Sequence, residues 1–237
     1  LRDDTILVST MFANNETGNL LPIAEIGQIL KQHPAAYHVD AVQAIGKLPI
    51  HPEELGIDFL TASAHKFHGP KGIGFLYTSS MDFDSYIHGG DQEQKKRAGT
   101  ENLAAIVGMV AALKEDLEKQ EEHFQHVQNL ETAFLTELEE VQYYLNRGDH
   151  HLPYVLNIGF PGQKNDLLLL RLDLAGISIS TGSACTAGIV QSSHVLEAMY
   201  GANSERLKES VRISLSPENT VEDLHTLAKT LKEIIGG

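Results

Sequence analysis

Short apolar runs alternate with helical periodicity through the first half of the chain, and this alternation restricts the fold more than any other feature. Runs at Thr5–Phe12, Ala36–Asp40, Phe59–Ser63 and Ile73–Tyr77 read as strands. Pro22 followed by Ile23, Ile26, Ile29 and Leu30 has the spacing of one apolar helix face, and Pro34 stands just past its end. Such alternation predicts an α/β protein with a mostly parallel sheet covered by helices. Leu1 stands almost directly before the first strand, so the chain reads as starting within a fold.

The pattern changes after Thr100, the expected N-cap of a helix rich in small residues: Ala104, Ala105, Gly108, Ala111 and Ala112. Residues of this size suit close packing against a neighbour. From Lys114 to Glu140 a long acidic helix is predicted, with Leu117, Phe124, Val127, Leu130, Phe134 and Leu138 as its apolar stripe. It reads as the connection between two lobes, with domains expected at 1–115 and 116–237. The second lobe has predicted strands near Tyr154–Gly159, Ile177–Ser180 and Val211–Ser214. Its predicted helices are Asp166–Leu174, His194–Tyr200 and Val221–Ile235, with Ser193 and Thr220 as caps.

Charge closes several functional classes. Lys and Arg total 18 against 32 Asp and Glu, for a formal net charge of −14. Nucleic-acid binders carry the opposite sign, so no direct nucleic-acid contact is expected. Docking on anionic lipid is disfavoured for the same reason. No apolar run approaches the roughly 18 residues of a membrane span. Cys185 is the single cysteine, which excludes an intramolecular disulfide and a multi-cysteine zinc site, and fits a reducing, cytoplasmic setting. His123, His126, His150 and His151 lack metal-ligand spacing and read as solvated, so no metal is expected.

Two segments point to chemistry. In Ser63-Ala64-His65-Lys66-Phe67-His68-Gly69-Pro70-Lys71-Gly72 a lysine follows a strand directly and enters a Gly/Pro loop. Ligands of α/β folds bind at such strand ends. A partly buried lysine readily becomes a nucleophilic amine, and Ser63 and His65 supply donors suited to a phosphate. A surface loop with a solvated lysine is the plainer reading. In His38-Val39-Asp40-Ala41-Val42-Gln43, Asp40 ends an apolar strand, where its carboxylate suits a ring nitrogen, and Gln43 can reach the same ligand. A strand-end Asp capping a helix is the plainer reading. Together, a strand-end Asp about 26 positions before a strand-end Ser-x-His-Lys is the layout of a pyridoxal-phosphate site.

The chain resembles the class V aminotransferase-like enzymes, and within them the cysteine desulfurases of the NifS/IscS type. The matching words are Ala13-Asn14-Asn15-Glu16-Thr17-Gly18, His38-Val39-Asp40-Ala41-Val42-Gln43, Ser63-Ala64-His65-Lys66, His88-Gly89-Gly90, Arg97-Ala98-Gly99-Thr100-Glu101-Asn102 and Ser183-Ala184-Cys185-Thr186. They fall in the family's order and cover the whole chain. The resemblance implies the type I fold of pyridoxal-phosphate-dependent transferases: a partial cofactor domain with a mostly parallel sheet, plus a small α/β C-terminal domain. It implies conversion of L-cysteine to L-alanine, with the sulfur taken as a persulfide. Lys66 would be the Schiff-base lysine and proton shuttle. Asp40 would hold the pyridine nitrogen, and Gln43 the phenolic oxygen. Ser63 and His65 would bind the phosphate. Asn15 would touch cofactor or substrate. Thr100 would reach the phosphate of a neighbouring subunit in a homodimer.

Cys185 sits among small polar residues, unlike the apolar surroundings of an inert buried cysteine. The resemblance makes it the residue that takes the sulfur and hands it to an acceptor protein, either an iron–sulfur assembly scaffold or a tRNA-thiolating enzyme. Its thiolate would be the reacting form. Arg212, a charge within the apolar run Val211–Leu215, needs a partner; the resemblance makes that partner the substrate carboxylate, and a structural salt bridge is the plainer reading. The family's usual phosphate-cradling turn and ring-stacking histidine lie upstream of the matched strand. Two explanations stand open, a fragment or a second polypeptide that supplies the missing half, and in either case the 237-residue chain alone is expected to bind cofactor poorly. Competing readings are another class V enzyme, such as a selenocysteine lyase or an aminotransferase, and a non-catalytic interaction module.

Overall fold

The computed structural model describes residues 1–182 and 192–236. The chain forms two compact units: 1–12 with 21–121, and 13–20 with 122–237.

The first unit is built on strands β1 (Leu7–Met11), β2 (Ala36–Asp40), β3 (Phe59–Ser63) and β4 (Gly74–Thr78), in that spatial order. The pairs β1·β2 and β2·β3 are parallel and β3·β4 is antiparallel. The sheet is therefore mostly parallel, as the alternation predicts. Helix α1 (Ile23–Leu30) makes the crossover from β1 to β2, and the short α2 (Pro52–Leu55) lies between β2 and β3. Alternation along the strands turns Tyr37, Val39 and Leu60 to the same sheet face, where they are buried with Ile23, Leu30 and Ile57. Gly27 of α1 permits a close approach to α2: a Cβ there would sit 2.0 Å from the Leu55 carbonyl oxygen. Gly74 does the same at the β3·β4 edge, where a Cβ would meet the Ala62 oxygen at 2.3 Å.

The short helix α3 (Gln92–Lys95) precedes α4 (Leu103–Glu118). Thr100 is not the cap of α4. That position belongs to Asn102, whose side chain accepts from the Ala105 amide at 3.2 Å. Asn102 directly precedes Leu103, the place from which an Asx oxygen reaches the third helical amide. The small-residue face packs as expected, with a Cβ at Gly108 falling 2.9 Å from Pro70 Cγ. The predicted long helix is in fact two. It breaks at Lys119 (φ −111°, ψ 9°), and α5 (Gln120–Glu137) follows. The break explains why Leu117 is exposed while Val127, Leu130, Phe134 and Leu138 are buried: Leu117 belongs to the helix before it.

The second unit holds a three-stranded antiparallel sheet of β5 (Tyr144–Leu145), β6 (Val155–Gly159) and β7 (Ser210–Ser214). Helices α6 (Asn165–Leu174), α7 (His194–Tyr200), α8 (Arg206–Glu209) and α9 (Val221–Gly236) complete it. The caps at Ser193 and Thr220 form: their hydroxyls accept from Leu196 N at 3.0 Å and Asp223 N at 3.2 Å. The strand expected at Ile177–Ser180 reduces to a single bridge between Ser180 and Arg212. β5 has no period of its own in the sequence, because two residues carry no alternation.

Segment 13–20 lies in sequence between β1 and α1 yet belongs to the second unit. The Asn14 side chain accepts from the amides of Glu16 (2.9 Å) and Thr17 (3.0 Å), which closes a tight loop. Gly18 (φ +74°) lets the loop press on β6; a Cβ would lie 2.7 Å from the Val155 oxygen. The Asn157 amide donates to the Glu16 carbonyl at 3.0 Å, and Asn157 Oδ1 accepts from the buried Asn146 amide at 2.8 Å.

Candidate active site

In the first unit, the candidate groups stand at the C-terminal ends of β2 and β3. Asp40 closes β2 and pairs in register with Thr61 of β3, which places Asp40, Thr61 and Ser63 on one sheet face. That face is the one opposite the apolar core. The carboxylate of Asp40 accepts from the Val42 amide through Oδ1 at 2.9 Å, and the residue is exposed. No local sequence signal marks His38 as a functional residue. It continues the polar row along this face, with Ser9 Oγ 2.8 Å from its Nδ1 and Thr61 Oγ1 3.2 Å from its Nε2.

After Ser63 the chain enters a single turn of 3₁₀ helix, Ala64–Lys66. Ala64 and Phe67 are both fully buried and pin this turn from either side, while His65 is exposed and Lys66 partly so. Gly69 tightens the return, donating its amide to the Ala64 carbonyl at 2.9 Å; a Cβ there would meet the Ala64 side chain at 2.9 Å. Ser63 Oγ and His65 Nδ1 lie 2.8 Å apart, so the two side chains are ordered as a pair. Gln43 sits in the turn after β2, and its carbonyl accepts from the Lys47 ammonium at 3.2 Å. Thr100 is exposed ahead of α4. Amine, carboxylate, hydroxyl and imidazole at neighbouring strand ends form a donor set that fits the aldehyde, pyridine nitrogen and phosphate of pyridoxal 5'-phosphate.

In the second unit, Asn15 and Arg212 come together. The guanidinium donates from Nη1 to the Asn15 carbonyl at 3.1 Å. Arg212 is also held by its backbone, which exchanges hydrogen bonds with Ser180 and pairs in register with Asn157. Glu16, next to Asn15 in sequence, is fully buried, accepts from the Ser193 hydroxyl through Oε2, and leaves Oε1 without a hydrogen bond. Cys185 and its Ser-Ala-Cys-Thr word lie outside the described residues.

Two histidines depart from the solvated reading. His126 Nε2 is 2.9 Å from the Asn219 carbonyl, and His151 Nε2 is 3.3 Å from Oε2 of the buried Glu131. Both lie where helix and loop packing leaves a polar atom to satisfy. Among the described residues no group of three or more His, Cys, Asp and Glu could hold a metal ion, and no helix is long and apolar enough to cross a membrane.

Residues 1–227 match the family described as aminotransferase class-V. The chain belongs to this family. An IscS-type relative from Bacillus subtilis (strain 168) is 48% identical over 240 residues, covering 99% of this chain and 63% of the relative. The cysteine desulfurase IscS of Dictyoglomus turgidum is 41% identical and matches 99% of this chain and 60% of itself. A solved NifS-like protein superposes with a TM-score of 0.90 at 35% identity, covering 100% of this chain and 62% of that one. The chain thus spans about three fifths of the length of these curated relatives, and its fold is that of the NifS-like structure.

Proposed function

We propose that this chain is the C-terminal part of a pyridoxal-phosphate-dependent cysteine desulfurase, with residues 1–115 on the cofactor side and 116–237 carrying the sulfur-accepting cysteine. The observation that carries the reading is the placement of Lys66, Ser63 and His65 at the end of β3, with Asp40 at the end of the adjoining β2. Pyridoxal 5'-phosphate, when bound, supplies an electron sink for the pair left at the substrate Cα.

The chain's own groups do the rest. Lys66 would hold the cofactor through its aldehyde and move the proton at the substrate Cα, Asp40 would keep the ring nitrogen protonated, Gln43 would donate to the phenolic oxygen, and Ser63 with His65 would hold the phosphate. Thr100 reaches the phosphate of a second subunit in a homodimer. Arg212 pairs with the carboxylate of L-cysteine, and Asn15 borders the same ligand. The Cys185 thiolate attacks the substrate sulfur: an S–S bond forms, the substrate C–S bond breaks, and protons return to carbon to give L-alanine. The terminal sulfur then passes to an acceptor protein in the cytoplasm, for iron–sulfur assembly or tRNA thiolation.

The test is covalent trapping. The complete enzyme is incubated with pyridoxal 5'-phosphate, reduced with borohydride and mapped by mass spectrometry. Label on Lys66, lost in Lys66→Ala, supports the reading; label spread evenly over surface lysines sinks it. With L-cysteine and the complete enzyme, a 32-Da adduct is expected on Cys185 and absent in Cys185→Ser.

A further inference from the structure

Glu16 follows Asn15 directly, and the proposed reaction does not use it. Its carboxylate is fully buried within the second unit. Taking a carboxylate out of water is costly unless its oxygens are paired. Here Oε2 accepts from the Ser193 hydroxyl, while Oε1 has no hydrogen bond, with His194 Nδ1 3.9 Å away. Ser193 Oγ in turn accepts from the Leu196 amide at 3.0 Å as the cap of α7. A capping hydroxyl works on its own, so the cap does not require a buried charge behind it. A third element meets the same group. Gly182 turns with φ +53°, and a Cβ there would lie 3.5 Å from Ser193 Cβ and 3.8 Å from Glu16 Oε2. Two residues before it, Ser180 exchanges backbone hydrogen bonds with Arg212 at 3.1 and 2.6 Å.

Gly182 and Ser193 flank Cys185 in the sequence, three residues before it and eight after. We propose that Glu16 is a positioning residue for Cys185: it clasps the two flanks of the cysteine and ties them to Arg212 through the adjoining Asn15. Its meaning for catalysis rests on Cys185 as the sulfur acceptor. Three residues span at most about 11 Å, so the place of Gly182 bounds how far from it Cys185 can lie. The Arg212 guanidinium donates to the Asn15 carbonyl at 3.1 Å, one residue from Glu16. The group that pairs with the substrate carboxylate and the flanks of the cysteine thus hang from one dipeptide. A misplacement of about 1 Å at reacting atoms can cost about a hundredfold in rate, so a clasp at this point has a use beyond folding.

The test compares Glu16→Ala with Glu16→Gln, and Ser193→Ala with Ser193→Thr, in the complete enzyme. Gln keeps an acceptor and Thr keeps the hydroxyl, so each serves as the conservative rescue. Hydrogen exchange is read at the Leu196 and Glu197 amides on one flank and at the Ser180 amide on the other. Both alanine variants should speed exchange on both flanks by about fivefold or more. For L-cysteine, kcat should fall about tenfold or more while KM changes by less than about twofold. Gln and Thr should restore most of both. Exchange that rises at Leu196 and Glu197 alone would make Glu16 a support of the helix cap and overturn the proposal. Circular dichroism checks the fold, and the Ser193 pair decides if Glu16→Ala fails to fold. The 32-Da adduct on Cys185 is a separate readout. Where it forms, an unchanged kcat, or a KM that rises while kcat holds, also overturns the proposal. Coupled exchange on both flanks without an adduct leaves the clasp standing and removes the desulfurase reading; an adduct with exchange confined to one flank does the reverse.

Discussion

The Arg212 guanidinium donates to the main-chain oxygen of Asn15 at 3.1 Å, joining two residues 197 positions apart. Because the acceptor is backbone, the Asn15 side chain is not needed for this bond. Asn15→Ala should therefore leave stability within about 0.5 kcal/mol. Arg212→Ala should cost about 1–3 kcal/mol by urea unfolding, since it strips a charged donor from that carbonyl. In the complete enzyme, Arg212→Lys should raise the KM for L-cysteine by about tenfold or more, because an ammonium cannot grip a carboxylate bidentately. An unchanged KM would remove Arg212 from substrate binding.

Gly27 lies inside α1, where alanine would ordinarily gain helix stability of about 1 kcal/mol. Here the sign should reverse. The added Cβ would fall 2.0 Å from the Leu55 oxygen, so α1 and α2 must separate. Gly27→Ala should lower stability by about 1–3 kcal/mol in thermal or urea unfolding.

Asn157 joins three segments by side-chain bonds to Asn146 and to the Glu16 carbonyl, all within a buried setting. Its replacement by alanine leaves more than one buried group unsatisfied. A loss of about 2–4 kcal/mol is expected, with faster hydrogen exchange at 13–20.

Two groups set opposite alkaline trends. Lys47 titrates near 8 in the fold against an ordinary 10.5, so the unfolded chain binds more protons between those values. Stability should rise with pH across that window. Tyr144 is pushed up to about 12, first by burial and then by its hydrogen bond to Glu209. Its contribution is complete below about pH 10 and lost as pH climbs through 12. Urea unfolding at stepped pH should show the rise flattened in Lys47→Met and the fall reduced in Tyr144→Phe.

Local pattern made much of this fold legible. β2 and β3 coincide with the predicted runs Ala36–Asp40 and Phe59–Ser63, because each is bounded by turn residues and carries clear apolar character. The caps at Ser193 and Thr220 were equally readable. The break at Lys119 was not, because good helix formers flank it on both sides. The strand expected at Ile177–Ser180 has apolar alternation but only Ser180 finds a pairing partner, on Arg212. At the candidate site, strand-end residues such as Asp40 and Lys66 stood out from their spacing. The approach of Gly46 to Asp116 did not, because the two are far apart in sequence and no local pattern announces it.

The loop that folds on Asn14 gives the chain an unusual connectivity. Residues 13–20 leave one compact unit, complete the other, and return before α1 begins. The frontier between the units is therefore crossed three times, and neither can be cut out as one uninterrupted stretch of sequence. A truncation that keeps only 122–237 would strip Asn157 of its Glu16 acceptor and Leu152 of its bond to Gly18. Swapping this half between homologues would have to carry an eight-residue passenger from the opposite side of the gene.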